Sequence, residues 1–171
     1  MGGSYSTIES GMPTGLNPLW VETDEEGTSW LTDWLANILS PNEELSSLQT
    51  RAILENVRRN ATAAPSLRKW DTFAKLFAST DDEGHVQARV AEWAKGGRFG
   101  WVFGETLEDT FSLDGNVVGF DLTQILDAQS DRERTAVLSY IFRRIERQMR
   151  DRTRTIVLID EAWKAIDNPY F

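Results

Sequence analysis

Apolar side chains recur at helical spacing within residues 23–97 of the chain. The earliest such segment, TSWLTDWLANILS, carries Trp, Leu and Ile on one face, and Pro41 ends its pattern. Ser40 before Pro41 and Glu43 three residues after Ser40 form the signature of a capping box. The sequence therefore predicts one helix that stops at Pro41 and a second that starts there and ends near Asn60.

Two further amphipathic segments follow, at residues 67–77 and 86–93, and Gly96 and Gly97 end the second of them. Residues 23–97 are thus predicted to form an all-α lobe of four consecutive helices. Ahead of this lobe, residues 1–22 are rich in Gly and Pro, with β-favouring pieces at 5–8 and 19–21. They are predicted to form an edge strand and a long ordered loop.

The pattern changes after residue 97, where short apolar stretches bounded by Gly, Asn or Asp predict strands. Two of these stretches are FGWVFG, at residues 99–104, and NVVGFDLTQIL, at residues 116–126. Ser130 and Glu133 then predict a capping box for a long helix that ends near Arg150. An unbroken apolar run, Ile156 to Ile159, predicts a buried terminal strand.

Strand, helix and strand in this order predict a βαβ unit within residues 98–171, and hence an α/β fold. The strands at Val117 to Phe120 and Ile156 to Ile159 are expected to be parallel neighbours with the long helix packed across them. Asp121 and Asp160 follow these strands directly. Because parallel strands end at the same edge of a sheet, both acids are expected at one edge.

Composition narrows the class of protein. With 171 residues, 40% of them hydrophobic, the chain is long enough for one domain with a core. It has no cysteine, which excludes disulfides and thiolate metal sites and favours a cytoplasmic setting. No apolar stretch approaches the ~20 residues that span a bilayer. The net charge of −9 disfavours a dedicated nucleic-acid-binding domain.

Asp160 and Glu161 form the most prominent candidate site, because ligands of α/β folds gather at the carboxyl ends of strands. The alternative is structural, since acids also stabilise helix starts and either one could cap a helix that begins at Ala162. Asp121 carries the same two interpretations. The Walker B acid of nucleotide hydrolases occupies this position. Its usual partner, the phosphate-binding loop G-x-x-x-x-G-K followed by Ser or Thr, is absent from the sequence.

Other chemistry-bearing residues give weaker signals. The arginines at the end of the chain could contact phosphates or acids of a partner, but such series are usually solvated helix faces. The members of this series are Arg143, Arg144, Arg147, Arg150, Arg152 and Arg154. His85, the one histidine, cannot supply a typical metal site and is interpreted as a structural or surface residue. The seven tryptophans are interpreted as core and interface anchors.

Three segments resemble the large P-loop ATPases of type IV secretion and conjugal transfer, the VirB/TrbE/CagE-type family. GGSYSTIESGMPTGLNPL is similar to the segment that follows the P-loop, VVGFDLTQILD to an inner strand of the sheet, and YIFRRIERQMRDRTRTIVLIDEAWKAIDNPYF to the Walker B region. The resemblance implies a fragment that lacks the P-loop and has a partial RecA-like parallel sheet with an all-α insertion. Residues 1–22 and 98–171 would then belong to the ATPase core, and residues 23–97 would be the insertion.

The resemblance also implies roles for the two acids. Asp160 corresponds to the acid that holds Mg²⁺ through water beside ATP, and Glu161 to the carboxylate that polarises the attacking water. Trp163 and Lys164 belong to the same signature. Without the P-loop, the chain alone is expected to be inactive, because acids repel a nucleotide.

The intact protein is then expected to be an ATPase motor that powers channel or pilus assembly and transport. It would be a homo-oligomer, with a hexamer as the leading candidate, recruited to the bacterial inner membrane by other secretion subunits. DNA contact stays open. The rival hypothesis is a non-catalytic interaction module, in which the helical lobe and the arginine-bearing helix bind a partner and Asp160 only caps a helix.

Overall fold

A computed structural model describes residues 3–40, 44–127, 130–150 and 154–160. The chain divides into two compact units, one formed by Met1–Ser10 with Ser112–Phe171 and the other by Gly11–Phe111. The first contains the only two strands of the described residues, and the second is helical. None of the helices in the described ranges is long and apolar enough to cross a membrane. The assignment of segments to an ATPase core and an insertion stays a prediction.

Three helices open the helical unit: α1 (Pro18–Val21), α2 (Glu25–Leu39) and α3 (Ser47–Thr62). α3 begins after Ser46, whose hydroxyl accepts from the Gln49 backbone N–H at 3.2 Å, while the Gln49 side chain accepts from the Ser46 N–H at 3.0 Å. This reciprocal capping box fixes the helix start. α3 therefore begins six residues later than the predicted start at Pro41, while Pro41 and Glu43 of the predicted box with Ser40 lie outside the described residues.

The later part of the helical unit is built from shorter pieces. They are α4 (Trp70–Lys75), α5 (His85–Ala91) and α6 (Gly100–Phe103), with 3₁₀ turns at Pro65–Leu67 and Leu76–Ser79. The predicted helix at residues 67–77 is thus an α-helix that tightens into a 3₁₀ turn. The predicted helix at 86–93 is found as α5.

Two apolar stretches that were predicted to be β-structure are helical. Residues 19–21 lie in α1, and residues 100–103 of the FGWVFG stretch form α6. At α6 the reason is tertiary packing, because Phe103 lies among three tryptophans at centroid distances of 5.5 Å (Trp34), 5.3 Å (Trp70) and 5.7 Å (Trp93). Short apolar runs do not distinguish strand from helix by themselves. The same three tryptophans are buried, which confirms their prediction as core residues.

In the other unit, β1 (Ser4–Thr7) pairs in parallel with β2 (Val118–Asp121). β2 leads into α7 (Thr123–Leu126) and then α8 (Asp131–Met149). The predicted edge strand at 5–8, the strand before Asp121 and the long helix are confirmed, each within a residue or two. The predicted Ser130 capping box is wrong, because the Ser130 side chain makes no capping bond. Acids in the first turn of α8 stabilise its start electrostatically instead.

Residues 154–159 have no regular secondary structure, and their side chains are exposed. The predicted buried strand at Ile156 to Ile159 is therefore not formed, and β2 pairs with β1 instead. A buried parallel strand needs hydrogen-bonding neighbours and cover on both faces. The described sheet has two strands, so this environment is incomplete.

Candidate functional site

Asp121 ends β2 and is held by a local hydrogen-bond network. Its carboxylate accepts the backbone N–H of Thr123 at 2.9 Å, an Asx-type turn at the carboxyl end of the strand. The hydroxyls of Thr123 and Tyr5 also donate to it. These bonds, led by the Thr123 backbone N–H, outweigh desolvation and lower the pKa of Asp121. The side chain is therefore fixed as an anion at this edge of the sheet.

Tyr5 reaches Asp121 from the neighbouring strand, and its ring lies over Gly119. Tyr5 and Gly119 are register partners, and a Cβ on Gly119 would lie 2.9 Å from the Tyr5 Cδ2 atom. Any side chain at residue 119 would therefore displace the ring. Desolvation, then the charge and hydrogen bond of Asp121, raise the pKa of Tyr5 above its ordinary value.

Asp121 and Asp160 line the same cleft, which has a volume of 1040 Å³. Its other walls are β2, apolar side chains of α8 and the segment at 154–160. The two acids predicted to share a sheet edge thus line one cleft, but Asp160 is exposed and does not follow a strand, so the shared edge stays a prediction. Glu161, the other acid of the candidate pair predicted from the sequence, lies outside the described residues.

The arginines of α8 do not form one solvated face. Arg143 is buried, and its Nη1 donates to Glu146 Oε2 at 3.2 Å; Arg150 donates to the other oxygen of Glu146 at 2.8 Å. Both arginines lower the pKa of Glu146, and the hydrogen bond from Arg150 contributes most. Desolvation acts in the opposite direction but is outweighed. Arg144 donates to the Tyr140 hydroxyl at 3.2 Å. The solvated interpretation is wrong for Arg143. Among the arginines of the predicted series, Arg154 lines the cleft.

His85 is exposed at the start of α5, as its surface interpretation expected. Across the described ranges, no three His, Cys, Asp or Glu side chains lie close enough to hold a metal ion between them.

Sequence reasoning missed Tyr5 and Thr123 as partners of Asp121. The Asp-Leu-Thr order after a strand is a detectable turn signal for Thr123. Tyr5 has no such signal, because its contact depends on the register between two distant strands.

Comparisons with known proteins place the chain among secretion proteins, although no protein-family model matches it. It is 30% identical over 172 residues to the type IV secretion system protein virB4 of Bartonella quintana and 31% identical over 178 residues to PtlC of Bordetella pertussis. It is 27% identical over 173 residues to virB4 of Agrobacterium fabrum. Each match covers 99% of this chain and 21% of the relative. The chain is therefore a homologue, along its whole length, of VirB4 and PtlC type IV secretion proteins, and it spans about one fifth of the length of these relatives.

Proposed function

We propose that the chain is part of the ATPase domain of a type IV secretion motor, which hydrolyses ATP to power channel or pilus assembly and substrate transport. The observation that carries the proposal is the match to virB4 and PtlC proteins across 99% of the chain, including the apolar run that ends at Asp160 and Glu161. ATP hydrolysis is proposed for the whole protein, because the chain spans 21% of its relatives.

The proposed fold of this part is a RecA-like core with a helical insertion. In support, β1 and β2 are parallel, and the helical unit connects them in sequence. Parallel strands require long crossover connections, and here the crossover contains a compact unit of its own. Residues 156–159 would supply a further strand of this core in the intact protein, ahead of the two acids.

The donor atoms at the cleft fit the chemistry of Mg²⁺ beside ATP. Mg²⁺ is bound by one or two carboxylates together with waters and substrate phosphates, and Asp121 and Asp160 offer carboxylates on one cleft. Mg²⁺ would supply charge neutralisation on the phosphate oxygens of ATP. Asp160 would hold a water of the metal shell, and Asp121, already held by Tyr5 and Thr123, would keep an acceptor at the same edge.

Glu161 would act on the water that attacks the terminal phosphate. A carboxylate directly after the metal-binding acid can accept a hydrogen bond from that water and polarise it. The lysine and backbone amides of a P-loop, which bind the phosphates, would come from another part of the parent protein.

The proposed setting is a homo-oligomer, such as a hexamer, that assembles with other type IV secretion subunits at the bacterial inner membrane. The similarity to type IV secretion proteins supports an assembly with secretion components. The helical unit would contribute an interaction surface within this assembly.

Turnover of Mg-ATP by the full-length parent tests the proposal. The double variant Asp160→Asn with Glu161→Gln should reduce turnover by at least about 100-fold, the scale of losing a general base. Glu108→Gln, an exposed acid of the helical unit, serves as the matched control and should leave turnover unchanged. Equal turnover in the double variant and the control would favour the rival, a non-catalytic interaction module.

A further inference from the structure

The helical unit separates its charges by sign along the sequence. Residues 11–50 contain seven acids and no lysine, arginine or histidine. Residues 51–75 then contain six basic residues and two acids, in a chain whose net charge is −9. Such asymmetry orients an approaching partner, because surfaces of opposite charge attract each other and surfaces of like charge repel. The two blocks are therefore candidate interaction surfaces.

The acidic block presents an exposed stripe on α2. Residues three or four positions apart lie on one side of a helix, and the exposed residues of α2 follow this spacing. They are Glu25, Glu26, Ser29, Asp33 and Asn37. The stripe thus carries three carboxylates and no basic side chain, so its surface potential is negative along the helix.

The basic block presents a stripe on α3, which packs beside α2. One line of exposed residues on α3 consists of Leu48, Arg51, Glu55, Arg58, Arg59 and Thr62. Arg51 Nε donates to Glu55 Oε1 at 3.1 Å, so these two charges offset each other. The excess positive charge of the stripe therefore lies at Arg58 and Arg59. Within the residues that the structure describes, neither of these two guanidinium groups has an ion-pair partner.

The end of α3 does not require both arginines. Arg68 already binds its last carbonyl groups, since Arg68 Nε donates to Ala63 O and Nη2 to Ala61 O, both at 3.2 Å. A basic residue in the last turn also stabilises the helix dipole, and Arg59 alone supplies it. Arg58 thus adds a charge that no contact in the described part of the chain uses.

We propose that the acidic stripe of α2 binds the basic stripe of α3 in a second copy of this chain. Identical copies carry both stripes, so they are complementary to one another, whereas two like stripes repel. This inference rests on the proposed function for its setting, because the oligomer proposed there brings copies together. Exposed ion pairs contribute little each, so the contact sets the orientation of neighbouring copies and does not by itself hold the oligomer together.

Cross-linking between two chains tests the contact, because the 171-residue chain has no cysteine of its own. One chain carries Ser29→Cys on the acidic stripe, and a second carries Thr62→Cys on the basic stripe. A flexible bis-maleimide joins thiols within reach, and the mixed dimer is identified by its mass. In the control, Thr50→Cys replaces Thr62→Cys, which places the thiol at an exposed position on another side of α3.

At low ionic strength we expect the Thr62→Cys chain to form the mixed dimer at least about tenfold faster than the Thr50→Cys chain, because the complementary stripes orient the encounter. The difference should vanish at about 1 M salt, where charges are screened within about 3 Å. Arg58→Glu with Arg59→Glu in the Thr62→Cys chain should remove the advantage. Glu25→Lys with Asp33→Lys in the Ser29→Cys chain should then restore it, which also shows that the reversed chains are folded.

Equal rates for Thr62→Cys and Thr50→Cys, or charge reversal without effect, would overturn the contact. Loss of the advantage without restoration by the second reversal would overturn the pairing of the two stripes. Binding of labelled duplex DNA that depends on Arg58 and Arg59, together with equal cross-linking rates, would assign the basic stripe to a polyanion instead. In the full-length parent, Mg-ATP turnover without the charge-dependent cross-link would refute the contact alone. The cross-link in a parent without turnover would refute the ATPase and leave the contact intact.

Discussion

Gln49 Nε2 donates to Asp82 Oδ2 at 2.9 Å and so joins α3 to the start of α5. Asp82 also accepts the backbone N–H groups of Gly84 at 3.1 Å and Val86 at 2.8 Å. Burial raises the pKa of Asp82, but these three bonds and the neighbouring His85 outweigh it and hold the pKa below its usual range. The ionised form is therefore the one that stabilises the fold.

Asp82→Ala should lower the free energy of unfolding at pH 7 by about 1–2 kcal/mol, the scale of losing a helix-start acceptor and a side-chain bond. Because the folded pKa is lowered, this stabilisation is complete above the unfolded pKa and is lost as pH falls through the folded pKa. The difference between wild type and Asp82→Ala should therefore shrink below about pH 4. Urea unfolding between pH 3 and 7 measures it, with the adjacent exposed acid in Asp81→Ala as control. A difference that is constant with pH would contradict the assignment.

Asn17 connects its own segment of the helical unit to two distant ones, at Arg68 and at residues 106–107. Its buried Nδ2 donates to the backbone oxygens of Arg68 at 3.2 Å, Thr106 at 3.3 Å and Leu107 at 2.9 Å. Asn17→Asp keeps the volume but replaces the donor with an acceptor that faces three carbonyl groups. We expect a loss of about 2–4 kcal/mol in unfolding free energy, since buried carbonyls are left without a donor.

Urea unfolding followed by tryptophan fluorescence measures the effect of Asn17→Asp. Asn37→Asp, the same substitution at an exposed position of α2, is the control and should change stability by less than about 0.5 kcal/mol. Equal effects at both positions would show that the three bonds of Asn17 do not hold the loops together.

The contrast between α6 and β2 explains how much of the fold could be predicted from the sequence. Both are short apolar runs, and periodicity cannot separate them. The run in β2 ends in Asp-Leu-Thr, a local turn signal that agrees with a strand end, whereas Phe103 of α6 is helical because it packs among tryptophans from three distant segments. Long amphipathic helices such as α2 and α8 were predictable because their signal repeats over several turns.

The same contrast between local signals and distant contacts applies to the candidate site. The position of Asp121 at the end of a strand was predictable, because an acid directly after an apolar run is visible in the sequence, whereas the role of Asp160 stays a prediction. The bond from Tyr5 to Asp121 was not, because residues 5 and 121 meet only through the register of β1 on β2. The strand predicted at Ile156 to Ile159 failed because strand formation depends on a neighbour, and hydrophobicity alone does not supply one.

The isolated 171-residue chain should bind Mg-ATP too weakly for calorimetric detection at micromolar concentrations. The carboxylates at the cleft repel nucleotide phosphates, and the sequence has no P-loop to supply amides and a lysine. Isothermal titration with Mg-ATP, and with Mg²⁺ alone as control, measures this. Micromolar affinity for Mg-ATP would reveal a phosphate site elsewhere, and Arg154→Ala at the cleft would be the first variant to examine.

In the full-length parent, single substitutions of the two adjacent acids should have different consequences. Glu161→Gln keeps shape and hydrogen-bonding capacity but removes the charge that polarises water, so turnover should fall by about 100-fold or more. Nucleotide affinity should barely change, because this residue acts on the water and not on the nucleotide. Asp160→Asn should weaken metal-dependent nucleotide binding as well, because its carboxylate is proposed to hold the Mg²⁺ shell.

Turnover and fluorescent-nucleotide binding, each titrated with Mg²⁺, separate the two variants. A raised Mg²⁺ requirement in Asp160→Asn, together with an unchanged requirement in Glu161→Gln, would support the division of roles. If Glu161→Gln kept full turnover and lost only stability, by the ~0.3–1 kcal/mol typical of an acid at a helix start, then Glu161 would be a helix-start acid. In that case the water-polarising role would have to belong to another carboxylate, and Asp121, already fixed as an anion at the same cleft, would be the next residue to substitute.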